Sequence, residues 1–392
     1  MRRIFLTLLV LFPAVWFSYG SFWNTTWYQK WFLQLALIFV GLGFWLGKRI
    51  HWSVVPAFIV TTLSGFYTTS WFGNTYSHYP LLDYYYLSKL ANYTLLSFVV
   101  LWVGVSLLRN RDRAFLERVF AWACFADSVL VIWQKSGGKH PYQLGGFFGN
   151  ESMNASFIAL TYPFLAFSPR VLLHPPLRLL VVVILPLVAV VLSGSSMAVL
   201  TLAAVVSTHL FLIHRGEISL KRRIIIAGVS AALVLGGLLL KIGAHAALDP
   251  SGRYEVWKLG MEYWQTGSLK DTFMGPANPW LGFGLGTTAV LLPYAQEQVG
   301  RSVLGGYMWF HNEVLQVLFE LGWLGLLSYG VLAFAAFRRA LSRPYLSSAL
   351  VGYGVCCLAN YPIHMASHAF LGVFLIMQSF KGDSSCTKNS FN

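Results

Sequence analysis

Ser251-Gly252-Arg253-Tyr254-Glu255-Val256-Trp257, then Asn278-Pro279-Trp280-Leu281-Gly282-Phe283-Gly284-Leu285-Gly286, then His311-Asn312-Glu313-Val314-Leu315-Gln316 and Glu320-Leu321-Gly322-Trp323-Leu324-Gly325 mark the interval from His245 to Gly325. It is the one long hydrophilic interval between hydrophobic spans, and it holds most of the side chains capable of chemistry. On either side the sequence reads as apolar runs of roughly 17–22 residues, the length a helix needs to cross a bilayer.

The totals agree. The 392 residues are 56% hydrophobic and 11% charged, against about 25% charged in an ordinary soluble domain, and the mean hydropathy is +0.60. Short alternating segments, the mark of an outer-membrane barrel, are absent from the sequence. The expected fold is therefore an all-α polytopic membrane protein, a single integral domain over 1–392. About twelve spans are expected near 4–20, 31–47, 53–72, 90–108, 114–134, 148–168, 178–193, 195–213, 224–241, 311–336, 345–362 and 364–380. The apolar run after Met1-Arg2-Arg3 lacks a small-residue cleavage site and reads as an uncleaved first helix.

Charge orients these spans. With the N-terminus cytoplasmic, the inner gaps and the tail at 381–392 hold 19 of the 28 Lys and Arg residues, as the positive-inside rule requires. Both termini then lie in the cytoplasm, and the hydrophilic loop 242–310 falls outside, between the ninth and tenth helices. The net charge of +14 is accounted for by topology, so no nucleic-acid partner is expected; the partner surface is the lipid bilayer. Cys124, Cys356, Cys357 and Cys386 match no zinc spacing and read as small apolar residues plus a tail thiol. No metal or cofactor is expected.

Several outer segments have a distinct flavour. Trp71 to Tyr79 and Asp83-Tyr84-Tyr85-Tyr86 are aromatic and polar, as suits an interfacial belt or a stacking surface for sugar rings. Gly145-Gly146-Phe147-Phe148-Gly149-Asn150-Glu151-Ser152-Met153-Asn154 opens the sixth span, where Asn150 or Ser152 would cap the helix or its free N–H groups would favour an anion. Ser193-Gly194-Ser195 reads as a tight turn between two spans.

Within the long loop, Arg253 to Gln265 has helical periodicity, with Tyr254, Trp257, Met261 and Trp264 forming an apolar stripe and Glu255, Lys258 and Glu262 a polar one. An amphipathic helix is expected near 252–265, lying on the membrane surface or over a cavity. Arg253 in its first turn is opposed by the helix dipole and calls for a partner anion: a bound ligand, a lipid phosphate, Glu255 or Asp249. The Gly282-x-Gly284-x-Gly286 run follows no strand of a βαβ unit, which weakens a dinucleotide reading; a turn passing close to a helix or ligand fits better. His311 can accept a proton near neutral pH, or serve a structural role.

Taken together, the Ser-Gly-Arg…Trp helix start, the Asn-Pro-x-x-Gly-x-Gly-x-Gly run, the His-Asn-x-x-Leu-Gln-x-x-x-Glu-x-Gly-x-x-Gly string and the earlier Gly-Asn-x-x-x-Asn resemble the bacterial O-antigen ligase / O-antigen polymerase superfamily. The order of the motifs and the twelve-helix layout most resemble the O-antigen ligases. The resemblance implies a metal-independent, inverting membrane glycosyltransferase of GT-C type in the bacterial inner membrane. Its donor would be a glycan on undecaprenyl pyrophosphate, and its acceptor a sugar hydroxyl of lipid A–core at the periplasmic face. Carried over, Arg253 would bind the pyrophosphate and His311 would orient or deprotonate the hydroxyl. Lys139, Lys258 and Arg301 would add charge, and Asn150, Asn154, Asn312 and Trp257 would line the substrate site.

Two positions depart from the family pattern: Gln143 and Ser196 stand where many members carry arginine. Within the superfamily the alternatives are a polymerase joining repeat units on lipid carriers and a protein O-oligosaccharyltransferase. A transporter is the reading of a different class. Asp127 and Glu320 would be its intramembrane ionisable residues.

Overall fold

A computed structural model describes residues 110–137, 146, 151–168, 184–213, 253–266, 268–269, 272–273, 277–298, 310–360 and 362–380, with isolated positions in 56–64 and 219–232. The spans expected at 4–20, 31–47, 53–72, 90–108 and 224–241 lie outside the described residues or touch only isolated ones, as does the tail 381–392.

Eight long helices and one short one are described: α1 Asn110–Ser136, α2 Glu151–Ala166, α3 Leu185–Ser193, α4 Ser196–Ile213, α5 Arg253–Thr266, α6 Thr288–Gln298, α7 Glu313–Ala340, α8 Pro344–Ala359 and α9 Ala366–Phe380. Each expected span that falls on described residues is a helix, with ends displaced by a few residues. One departure from an all-helical reading is a small antiparallel hairpin, β1 Ser268–Leu269 with β2 Thr272–Phe273, after α5.

Helix α2 is the hub. Every residue from Met153 to Ala166 is buried, as expected of a helix that is apolar on all sides. Phe164 meets Phe120 of α1 at 5.5 Å and Phe374 of α9 at 6.1 Å, and Phe120 meets Phe374 at 5.4 Å. Contacts fix the helix directions. Cys124 bonds to Ile158 and Glu117 to Ser168, so α1 runs antiparallel to α2. Asn360 at the end of α8 reaches Ser156, near the start of α2, while Tyr345 near the start of α8 packs on Phe164. His368 sits against Met153, which sets α9 parallel to α2.

The bundle therefore has two chemically different ends. One gathers Arg113, Arg118, Arg338, Arg339 and Arg343. Here the buried Glu117 accepts from Gln378 at 2.7 Å, Ser168 at 3.2 Å and Tyr345 at 3.2 Å, while Arg113 donates to Gln378 and to the Met377 carbonyl, both at 3.1 Å. Arg343 ties the same helix end through the carbonyls of Gln378 and Ser379. The other end carries the turn at Gly194, the start of α2, the 3-10 turn Pro362–His364 and the entry to α7.

Large apolar side chains face outward along the helices. Trp122 and Trp133 of α1, Leu187 and Val191 of α3, and Leu327, Val331 and Phe334 of α7 are exposed. Large apolar side chains exposed on several helices suit a surface covered by a bilayer. Among the described residues, Ser196–Ile213 and Glu313–Ala340 are long and apolar enough to cross one.

Candidate functional site

Helix α7 is not continuous. Gly322 has φ 62° and ψ −163° in the middle of it, in a region of backbone space that is nearly exclusive to glycine. A break in a helix orphans carbonyls before it and N–H groups after it. Here the segment Asn278–Gly286 satisfies both sets. Phe283 and Gly284 donate to the carbonyls of Phe319 and Glu320, each at 2.9 Å, while Trp323 and Leu324 donate to the carbonyls of Pro279 and Trp280 at 2.9 and 3.2 Å. The Asn278 side chain closes its own turn by accepting from Trp280 and Leu281. The two glycine-bearing motifs, about forty residues apart in sequence, are thus the two halves of one joint. The expectation of a turn passing close to a helix is met.

Glu320 reinforces the joint. Its carboxylate accepts from the Gly286 N–H at 2.9 Å, the Thr288 N–H at 3.3 Å and the Gln316 amide at 3.4 Å. Thr288 opens α6, so the carboxylate also satisfies N–H groups at a helix start. With three donors on it, this carboxylate is fully engaged in structure. That weighs against Glu320 as the proton-carrying residue of a transporter.

Helix α5 rests on α6 and on the chain entering α7. The buried side chains are Val256 and Tyr263 of α5, Leu291, Leu292 and Ala295 of α6, together with Phe283, Phe310 and Phe319. Gly260 of α5 lies directly over the Phe310 ring, where any Cβ would collide. The expected apolar stripe is therefore corrected. The buried line is Val256–Gly260–Tyr263, and Tyr254 is 64% exposed. The aromatic residues Trp257 and Trp264 flank the contact, because only the small residue at 260 lets the two backbones approach. The Trp257 indole donates to the Phe310 carbonyl at 2.6 Å, which pins α5 beside His311.

His311 is the one described non-glycine residue with positive φ, at 52°. Such a conformation is uncommon for residues other than Gly, Asn and Asp, and strained backbone clusters at working sites. The residue lies two positions ahead of α7. Its imidazole is pushed down to about 3, first by burial and then by the Arg253 guanidinium, so without a bound anion it is neutral at physiological pH and only a weak proton acceptor. Arg253 and Trp257 stand one turn apart on the same face of α5. Lys258 is exposed and lies roughly 140° further round the axis from Arg253.

The remaining expected site residues are placed differently. Asn312 is the N-cap of α7, its side chain accepting from Leu315 at 3.1 Å. Asn154 is fully buried on α2, packed beneath Gly146. Ser196, one of the departures from the family pattern, is the first residue of α4; neighbouring Ser195 meets Ser152 at 3.3 Å. Lys139, Asn150, Arg301 and Gln143 lie outside the described residues. Among the described residues no cluster of His, Cys, Asp and Glu suited to a metal is present.

Two structural residues escaped the reading of the sequence. Glu313 is buried and accepts from the Ile363 N–H at 2.7 Å, tying the start of α7 to the 3-10 turn before α9. Glu320, weighed only as an intramembrane acid, holds the joint. A signal was present: a carboxylate two residues before a glycine, inside an otherwise helical apolar run, is where a helix break finds a ready acceptor.

A family model described as O-antigen ligase matches residues 181–330, from α3 through the loop to just past the Gly322 break. No curated protein matches the chain.

Proposed function

We propose that the protein is an inverting, metal-independent transferase of the ligase type; the match of residues 181–330 to a family model described as O-antigen ligase supports this reading. It moves a glycan from undecaprenyl pyrophosphate to a sugar hydroxyl of lipid A–core. The observation that carries this reading is the tie between α5 and the entry to α7. The Trp257 indole, one turn after Arg253, donates to the carbonyl of Phe310, the neighbour of His311, and after burial the Arg253 charge further lowers the His311 pKa. The arginines of the opposite bundle end support a cytoplasmic assignment for that end, which leaves the pair on the periplasmic face. The full proposal is a twelve-helix GT-C arrangement in the inner membrane with both termini cytoplasmic and loop 242–310 outside.

In the transfer step the acceptor oxygen attacks the anomeric carbon from the face opposite the pyrophosphate. The carbon–oxygen bond to the pyrophosphate breaks and its electron pair leaves with undecaprenyl pyrophosphate, inverting the centre. The hydroxyl proton passes to the His311 imidazole. Arg253 offers a planar fork to the phosphate oxygens on which charge grows. Because the leaving group is already good, positioning and charge stabilisation do most of the work. Arg301 and Lys139 add positive charge to the donor site in this proposal, and Asn150 and Trp257 shape it, whereas Asn312 caps α7 and Asn154 is buried within the bundle.

Donor binding also strengthens the base. An anion on Arg253 cancels the repulsion that helps hold the imidazole down, so the His311 pKa rises in the donor complex. A base is lost as pH falls through its pKa. The acid limb of kcat, which reports the complex, is therefore expected at higher pH than the acid limb of kcat/KM, which reports the free enzyme with His311 near 3. Coincident limbs in a pH–rate series would contradict the coupling.

Complementation separates the members of the superfamily. In ligase-null bacteria the protein is expected to restore long chains attached to lipid A–core on lipopolysaccharide gels. Restoration of ladder length in polymerase-null bacteria instead would assign the polymerase reaction, and transfer to protein Ser or Thr would assign protein glycosylation.

A further inference from the structure

The joint at Gly322 bears on the transfer reaction because of what stands at its two ends. Helix α7 begins two residues after His311. Seven residues after the helix start, Glu320 holds Gly286 and Thr288 with its carboxylate and Gly284 with its backbone carbonyl. Those contacts set where α6 starts. Helix α6 supplies Leu291, Leu292 and Ala295 to the cluster that seats α5, and α5 presents Arg253. The Ala277 N–H donates to the Trp264 carbonyl near the far end of α5 at 3.1 Å, and the Trp257 indole returns to the Phe310 carbonyl. The contacts form a closed ring: His311, α7, Glu320, α6, α5, Arg253 and back to His311.

Within α7, the Glu320 side chain hydrogen-bonds to the N–H groups at the start of α6. Glu320 is 3% exposed, and its two oxygens face different donors, Gly286 on one and Thr288 with Gln316 on the other. Buried polar groups are worth most when every partner is present. Two oxygens on one rigid carboxylate fix both the distance and the rotation of α6 against α7.

We infer that Glu320 is a positioning residue for the transfer reaction, whose carboxylate holds the α5–α6 platform, and hence Arg253, at working distance from His311. This rests on the proposed transferase reading and adds a residue to it. The effect on chemistry is indirect. Glu320 touches neither substrate nor the reacting atoms, and acts by keeping the phosphate-binding fork and the base in register. Displacement of about 1 Å between such groups lowers turnover about a hundredfold.

The test uses the full chain in lipid nanodiscs with a lipid-linked glycan donor and lipid A–core acceptor. Glu320→Gln keeps the volume and leaves one acceptor oxygen where two are needed, so an NH2 group faces an N–H donor. Glu320→Asp keeps both oxygens on a stem shorter by roughly 1.5 Å. Expected for Glu320→Gln is faster amide exchange confined to 283–291 and to α5, with kcat per folded molecule lowered about a hundredfold and acceptor KM nearly unchanged. Glu320→Asp shows the same pattern at smaller amplitude. A merely structural role lowers the yield of folded protein and leaves kcat per folded molecule at the wild-type value. That result overturns the inference, as does unchanged exchange in both variants, or failure of both variants to fold. An inactive wild-type protein in the same assay sinks the transferase reading, whereas an active wild type beside a fully active Glu320→Gln sinks only the role given to Glu320.

Discussion

Replacing His311 with alanine is expected to remove glycan transfer while leaving the protein folded and in the membrane. Loss of a positioned general base lowers a rate by about a hundredfold to ten-thousandfold. At the upper end of that range lipopolysaccharide gels would show no attached long chains. The position also carries backbone strain, since φ is 52°, so His311→Asn is the sharper variant. Asparagine tolerates this left-handed conformation better than alanine and keeps a polar side chain, yet it accepts no proton near neutrality. Equal loss in both variants assigns the effect to the imidazole, because the backbone is relieved in one and not in the other. Arg253→Ala is expected to match this loss, and Arg253→Lys to retain part of the activity. Lysine keeps the charge and loses the two-pronged geometry that suits a pyrophosphate. Wild-type transfer by His311→Ala and Arg253→Ala would remove both proposed roles.

The second large effect falls on folding. Gly322→Ala is expected to deplete folded protein severely. Its φ of 62° and ψ of −163° lie where an L-residue is strained by about 3 kcal/mol. The added Cβ would also stand 2.5 Å from the Trp280 carbonyl oxygen and 2.6 Å from the Leu281 nitrogen, and neither backbone atom can swing aside. Relieving the clash means separating the Asn278–Gly286 segment from α7. That separation strands the carbonyls of Phe319 and Glu320 and the N–H groups of Trp323 and Leu324. Gly330→Ala on the same helix is the control. Nothing lies within 4 Å of its Cβ position, and alanine in a helix interior is favoured over glycine by about 1 kcal/mol. Comparable monodisperse yield for the two variants after detergent extraction would contradict the joint as described.

The same feature explains a puzzle of the sequence. Glu320 and three glycines, Gly322, Gly325 and Gly330, inside an apolar span weaken it as a plain membrane helix. They make sense once the span is a broken helix whose free backbone groups are capped by another part of the chain. Irregular backbone at membrane depth is tolerated only where protein satisfies it, and Asn278–Gly286 does so.

Local chemistry by itself determined a great deal. Apolar run length located seven of the nine described helices, from Asn110–Ser136 to Ala366–Phe380, because burial in lipid demands a fixed number of apolar residues wherever the run sits; it missed Thr288–Gln298, which packs in the loop cluster. Periodicity found the helix over Arg253–Thr266; the roles proposed for Arg253 and His311 rest on the family resemblance of the motifs that hold them. Tertiary structure alone decided which face of that helix is buried. Val256, Gly260 and Tyr263 form the contact in place of the more hydrophobic Trp257 and Trp264 line, since a glycine opposite Phe310 permits an approach that hydrophobicity cannot register. It alone showed that Glu320 reaches Gly286 and Thr288, and that two glycine runs interlock. Hydrophobic patterning is a property of neighbours in the chain, whereas the partner of a freed carbonyl or a buried carboxylate is whatever the fold brings to it.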